Sequence, residues 1–291
     1  YLQNIYEDWK YRIIGEKKEI IIPEICDDEN DIKIISHSTD HITNRSFKDN
    51  IDISSEFQFH AVYLLSCEKP DRKFDVNYNI HYSLETINKW FLEKTNNQII
   101  SFDKTNKNII DTTFIRVNKT MSWFNKYNIK QNRGKDASSK IENIILSNSF
   151  LFNNFDKKKF IVFFDGWEKR VSLFTEICGR SRYNGKVSIF YTDSKMKKNR
   201  SCTIDNINNT IIEEFGESEE TILHEILHTL GMPPKCANNL DSENAFHVKD
   251  SNDDIMNKVS GSLYLDINND DYYKHNIPNC PDLYESEFLI N

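Results

Sequence analysis

Apolar residues along the chain gather in short runs whose period switches between two and nearly four. Residues 60–65 (HAVYLL), 160–164 (FIVFF) and 187–191 (VSIFY) are apolar almost without interruption. Runs of that length bounded by polar residues predict strands buried on both faces. Residues 109–117 are rich in β-branched side chains and predict another strand. Between them the spacing lengthens. Ile80, Leu84, Ile87 and Phe91 fall on one stripe over 80–94, and Ile141, Ile144 and Ile145 do so over 138–147. A third helical pattern, over 218–230, aligns Leu223, Ile226, Leu227 and Leu230. Strands alternating with helices predict an α/β (α+β) domain, a mixed twisted sheet with helices packed on it. Residues 1–56 carry shorter β-like runs, at 11–14, 19–22 and 32–35, broken by acidic turns such as 27–30. They read as a β-rich lead-in or small module ahead of a larger domain over 57–291.

The 218–230 helix carries the chemistry. Ser218 suits an N-cap, and Glu219 and Glu220 suit the positive end of the helix dipole. Gly231 fits the left-handed position after the last turn, and Pro233-Pro234 forbid continuation. Within it stands His224-Glu225-Ile226-Leu227-His228. Histidines four apart share a helix face and can reach one Zn²⁺ at roughly 2.0–2.1 Å. Glu225 stands beside them as the candidate general base. A catalytic zinc site needs a third protein ligand and an open position. His247 is the next histidine along the chain and the first choice; Asp250 is the alternative. Asp253 and Asp254 read as turn residues or as partners of an imidazole N–H, and Met256 as plain core or, by resemblance to metzincin peptidases, as the turn beneath the metal.

With Gly231 the motif extends to H-E-x-x-H-x-x-G, and the C-terminal third resembles exported, metzincin-like bacterial metallopeptidases. The stretches that carry the resemblance are HEILHTLGMPPKC (224–236), HVKDSNDDIM (247–256), LDINNDDYYKH (265–275) and NCPDLYESEFL (279–289). AVYLLSCEKPDRKFD (61–75), Trp90-Phe91 and the run 111–117 extend it over 57–291. The resemblance implies a zincin-like fold and a zinc-dependent endopeptidase that hydrolyses peptide bonds with a metal-activated water and Glu225 as base. It implies zinc on His224, His228 and His247, with a long insert before the third ligand. The commoner metzincin spacing puts a His or Asp where Pro234 stands here. The alternatives are a zinc amidase acting on a non-protein substrate and a non-catalytic zinc-binding adhesion or interaction module.

Charge and cysteines narrow the setting. The chain has 291 residues, a net charge of −8 and 28% charged residues, which argues against a nucleic-acid binder. The lysine runs at 157–159 and 195–198 read as solvated surface. Nothing approaches the roughly 20 apolar residues of a membrane span. The chain opens on Tyr1 with no leader-like segment, which reads as a processed or an artificially trimmed form from which any export signal is already missing. Six cysteines, none in a C-x-x-C pair, favour disulfides in an oxidising compartment. They allow 15 connectivities; the expected pairs are Cys178–Cys202, Cys236–Cys280 and Cys26–Cys67. Asp266-x-Asn268-x-Asp270 starts like a calcium loop but lacks the EF-hand Gly and Glu, so turn chemistry is the first reading and a non-EF Ca²⁺ site the second. Tyr272 and Tyr273 are candidate oxyanion donors or core residues, and His37 and His41 read as surface histidines.

Overall fold

The computed structural model describes residues 11–14, 17–20, 25–35, 40–126, 137–170, 175–194, 215–244, 246–258 and 264–291. In chain order the elements are β1 (Tyr11–Ile14), β2 (Lys17–Ile20), β3 (Gln58–Leu65), α1 (Asn79–Thr95), β4 (Ile99–Ile100), β5 (Thr112–Arg116), α2 (Met121–Asn125) and α3 (Ala137–Ser147). There follow β6 (Lys158–Phe164), β7 (Glu168–Arg170), β8 (Thr175–Ile177), β9 (Gly179–Ser181), β10 (Val187–Tyr191), α4 (Glu217–Thr229) and β11 (Leu289–Ile290).

The centre is a five-stranded mixed sheet in the order β5-β3-β6-β10-β9. β5, β3, β6 and β10 run parallel, and β9 closes one edge antiparallel to β10. The uninterrupted apolar runs have a simple cause: both faces of the sheet are covered. Alternate residues serve opposite layers. Phe59, Ala61, Tyr63 and Leu65 of β3 join Ile161, Phe163 and Phe190 in a core with α1 and α4. Val62 and Leu64 join Val162, Phe164 and Ile189 in a second core with α2 and α3. β1 and β2 form a separate antiparallel pair, and β11 pairs with β4.

Residues 25–56 fasten onto this core at several points. Cys26 is disulfide-bonded to Cys67, Ile34 bridges Val117, and Ser46 bridges Thr113. The Arg45 guanidinium pairs with Asp71 and Asp75, and Arg116 pairs with Asp40.

Every strand and helix expected from the pattern, except the run at 32–35, lies within three residues of its expected bounds. Residues 32–35 form only the single bridge at Ile34. β2 spans Lys17–Ile20 rather than 19–22, and residues 21–22 are outside the described set. The cap of α4 is Gly216, not Ser218. The Glu219 carboxylate accepts from the Gly216 N–H at 3.2 Å, which starts the helix two residues early and leaves the Ser218 hydroxyl buried without a hydrogen-bond partner. Lys158 is not solvated: strand alternation turns it inward, where its ammonium meets Asp49, Asp52 and Asp103. Residues 195–198 are outside the described set.

Cys236–Cys280 is the other described disulfide. Cys178 is disulfide-bonded too, while its expected partner Cys202 lies outside the described residues. Among the described residues there is no free cysteine, and no helix is long and apolar enough to cross a membrane.

Candidate metal centre

α4 is sited by its apolar stripe. Ile222, Leu223, Ile226 and Leu227 are fully buried against the sheet and α1. Glu219 is tied to α1 by a 2.8 Å hydrogen bond from the Ser83 hydroxyl. With that face committed to the core, His224 and His228 open on the adjoining one, each 8% exposed.

The helix ends as its sequence predicts, and the ending has a use. Gly231 takes φ +80°, a left-handed conformation that costs a residue with a Cβ about 1–2 kcal/mol. The Gly231 N–H returns to the His228 carbonyl at 3.0 Å and the Met232 N–H to the Leu227 carbonyl at 3.0 Å, a Schellman turn. That reversal brings the Met232 carbonyl within 3.0 Å of His228 Nδ1.

The other two imidazoles are held the same way. His224 Nδ1 lies 2.7 Å from the Ile255 carbonyl and His247 Nδ1 lies 3.1 Å from the Asn244 carbonyl. A carbonyl can only accept, so each Nδ1 carries the proton and donates it. Each Nε2 then keeps its lone pair for a ligand, the arrangement typical of metal-binding histidines. Three separate stretches of backbone thus set the three tautomers: the turn after α4, the turn at Ile255 and the loop at Asn244.

The three rings converge. Their centroids are 4.6 Å apart for His224 and His228, 5.2 Å for His224 and His247, and 5.1 Å for His228 and His247. One nitrogen from each lies within 4.8 Å of the other two. Burial pushes the His224 imidazole down to about 4, and pushes His228 well below its ordinary value, the neighbouring imidazoles adding to the effect. Both are neutral at pH 7, the protonation state that a metal requires of its histidines. Three imidazoles with orienting carbonyls fit a zinc ion by donor type.

Glu225, between the two helix histidines, is buried beside β9, and its Oε2 accepts a 2.6 Å hydrogen bond from the Ser181 hydroxyl. Asp250 does not join the imidazoles. Its carboxylate lies instead with those of Asp270 and Asp271. Neither is Asp266 a loop ligand in the EF-hand manner. Its carboxylate accepts from the N–H groups of Asp270, Asp271, Tyr272 and Tyr273, which is turn chemistry.

Met256 is fully buried in a turn whose carbonyl accepts from the Val248 N–H, one residue past His247. Asp254 accepts from the Met256 N–H at 2.7 Å and from the Tyr272 hydroxyl at 2.8 Å, so it braces the turn that presents the Ile255 carbonyl to His224. The tyrosines are core residues: the Tyr272 phenol is spent on Asp254 and the Tyr273 phenol on Gln98. His41 sits at the surface against Phe47, and His37 lies outside the described residues.

Three features have no sequence signal strong enough to find them. β9 is a three-residue edge strand with no apolar period. Tyr183 stacks on Phe246 with ring centroids 4.1 Å apart, linking the loop after β9 to the residue before His247. Phe246 takes φ +71°, a conformation rare for an aromatic residue and often found at functional sites.

No family model matches the chain, and no curated protein matches it in sequence. Among solved structures it is similar to wild-type OgpA from Akkermansia muciniphila in two crystal forms. One is 10% identical, with a TM-score of 0.37 over 72% of this chain and 53% of that one. The other is 12% identical, with a TM-score of 0.37 over 64% and 51%. A catalytically inactive OgpA in complex with an O-glycopeptide substrate, glycodrosocin, is 10% identical, with a TM-score of 0.33 over 75% and 55%. The chain spans about half the length of these structures.

Proposed function

We propose that the protein is a zinc-dependent metalloendopeptidase. The observation that carries this reading is the convergence of three imidazoles, each with Nδ1 donated to a backbone carbonyl, beside a buried glutamate on the same helix. His224, His228 and His247 would hold the ion. Zinc bound there supplies Lewis acidity, lowering the pKa of a water towards ~7 and polarising the scissile carbonyl. Glu225 takes the proton from the attacking water and delivers it to the leaving amine. Among the described residues the ligand set counts three, which leaves a position for substrate as a catalytic rather than a closed structural site does. The disulfides support export to an oxidising compartment, where a peptide or protein is the substrate.

Glu225→Gln tests the reading. The variant keeps one zinc per chain by elemental analysis, while cleavage of a broad peptide library falls by orders of magnitude. Full activity in that variant refutes the assigned base. Zinc bound by the wild type with no peptide cleaved would favour a binding module or an amidase.

A further inference from the structure

The edge strand approaches the base more closely than packing alone requires. β9 is fixed in register on β10, with Ser181 opposite Ser188 and Gly179 opposite Phe190. Residues 179 and 181 alternate onto one face of the strand, the face towards α4. Arg180, on the other face, is ion-paired with Glu168. At Gly179 the approach is so tight that a Cβ would stand 2.6 Å from Glu225 Cγ and 2.8 Å from Thr221 Cγ2. Only glycine lets the strand come this near without shifting the Glu225 and Thr221 side chains. Two residues on, the Ser181 hydroxyl reaches Glu225 Oε2 at 2.6 Å. That is a short, charge-assisted bond to the carboxylate.

Resting on the peptidase reading, we propose that Ser181 is the positioning residue for Glu225: its hydroxyl, delivered by the Gly179 approach, holds the carboxylate in the orientation proton transfer needs. A glutamate has three side-chain torsions, and the last is broad and nearly two-fold. Packing around Cγ restrains the first two. The hydroxyl restrains the last, so the sheet, through β9, sets the plane of the base. The approach of Gly179 and the hydroxyl of Ser181 serve the same end: one brings the strand into range, the other makes the bond.

The experiment combines two readouts on Ser181→Ala and Ser181→Thr. The first is a double-mutant cycle with Glu225→Ala in urea unfolding of the metal-free protein, where neither zinc nor turnover enters. A hydrogen bond to a charged group predicts coupling of about 10-fold or more in the unfolding constant. The second is steady-state cleavage of a library peptide by the zinc-loaded protein. Ser181→Ala lowers kcat by about 10- to 100-fold, the usual cost of losing a partner that orients a site residue. KM stays within twofold, zinc stays at one per chain, and Ser181→Thr restores most of kcat. Absence of coupling overturns the proposal, and so does coupling with kcat unchanged. An equal fall in kcat for Ser181→Thr, which retains the hydroxyl, also overturns it. A wild-type protein that cleaves nothing refutes the peptidase reading, and the unfolding cycle then decides the Ser181–Glu225 bond by itself.

Discussion

At the scale of single residues, the proposed third ligand and its rival differ in which atoms are already committed. His247 donates Nδ1 to the Asn244 carbonyl and faces two other imidazoles, whereas Asp250 is grouped with Asp270 and Asp271. Two substitutions therefore part cleanly. His247→Ala removes one of three donors and weakens zinc binding by more than the roughly 10- to 100-fold typical of losing a residue that only orients a ligand. Asp250→Ala leaves zinc affinity within a few-fold of wild type. Competition against a fluorescent chelator measures both, and the reverse ranking would transfer the third position to the aspartate. The same logic explains why His224 and His228 are legible from their spacing and their partners are not. Histidines four apart declare a shared helix face, but a backbone carbonyl has no letter in the sequence. Met232, Asn244 and Ile255 matter here for their carbonyls, which every residue type possesses.

At the scale of elements, the turn over residues 254–257 carries the orienting carbonyl of His224, and Asp254 holds that turn. Burial raises the Asp254 carboxyl from 3.8 to about 7. Between those values the folded chain keeps a proton that the unfolded chain has released, so the group's contribution is present below pH 3.8 and is lost as pH rises towards 7. Asp254→Asn keeps an acceptor for the Met256 N–H and the Tyr272 hydroxyl but cannot ionise. Its urea midpoint should fall less than that of wild type between about pH 4.5 and about pH 7.5, a window that brackets most of the titration. Parallel curves for the two proteins would remove Asp254 from the pH response. Element by element, legibility follows length and burial. β3, β6 and β10 are long enough for an apolar run to show and α1, α3 and α4 for a period, and each contributes to a buried core. β9 has three residues, Gly-Arg-Ser, and its place is set by pairing with β10 and by the space that Gly179 leaves beside Glu225. The cap of α4 departs from its expected position for a related reason. A serine at 218 is the better capping residue by type, yet the Glu219 side chain reaches back to Gly216 and starts the helix there.

At the scale of the whole molecule, the site is assembled from two parts of the chain that are stabilised by different means. His224 and His228 stand on a helix clamped between the sheet and α1 by buried aliphatic side chains, so their geometry is a property of the core. His247 stands in a long excursion with no helix or long strand of its own among the described residues, running from the end of α4 to the C-terminal segment. That excursion is closed by Cys236–Cys280, separated by 44 residues, and the ring so formed contains His247, Asp254, Met256 and Tyr272. Closing a loop of that length is worth about 4 kcal/mol in the chain-entropy account. Cys26–Cys67, separated by 41 residues, closes a loop of similar length but ties residues 25–35 to the end of β3 and encloses none of His224, His228 and His247. Near-equal loop lengths make the two bonds matched controls. Replacing Cys236 and Cys280 by serine, and separately Cys26 and Cys67, should lower the urea midpoint by similar amounts. Zinc affinity should fall only for the first pair, because only there does the cross-link restrain a ligand that must be brought to the other two before the ion can bind. Equal zinc affinity in the two double variants would mean that the buried Met256 turn and the Tyr183–Phe246 stack hold His247 in place without the disulfide.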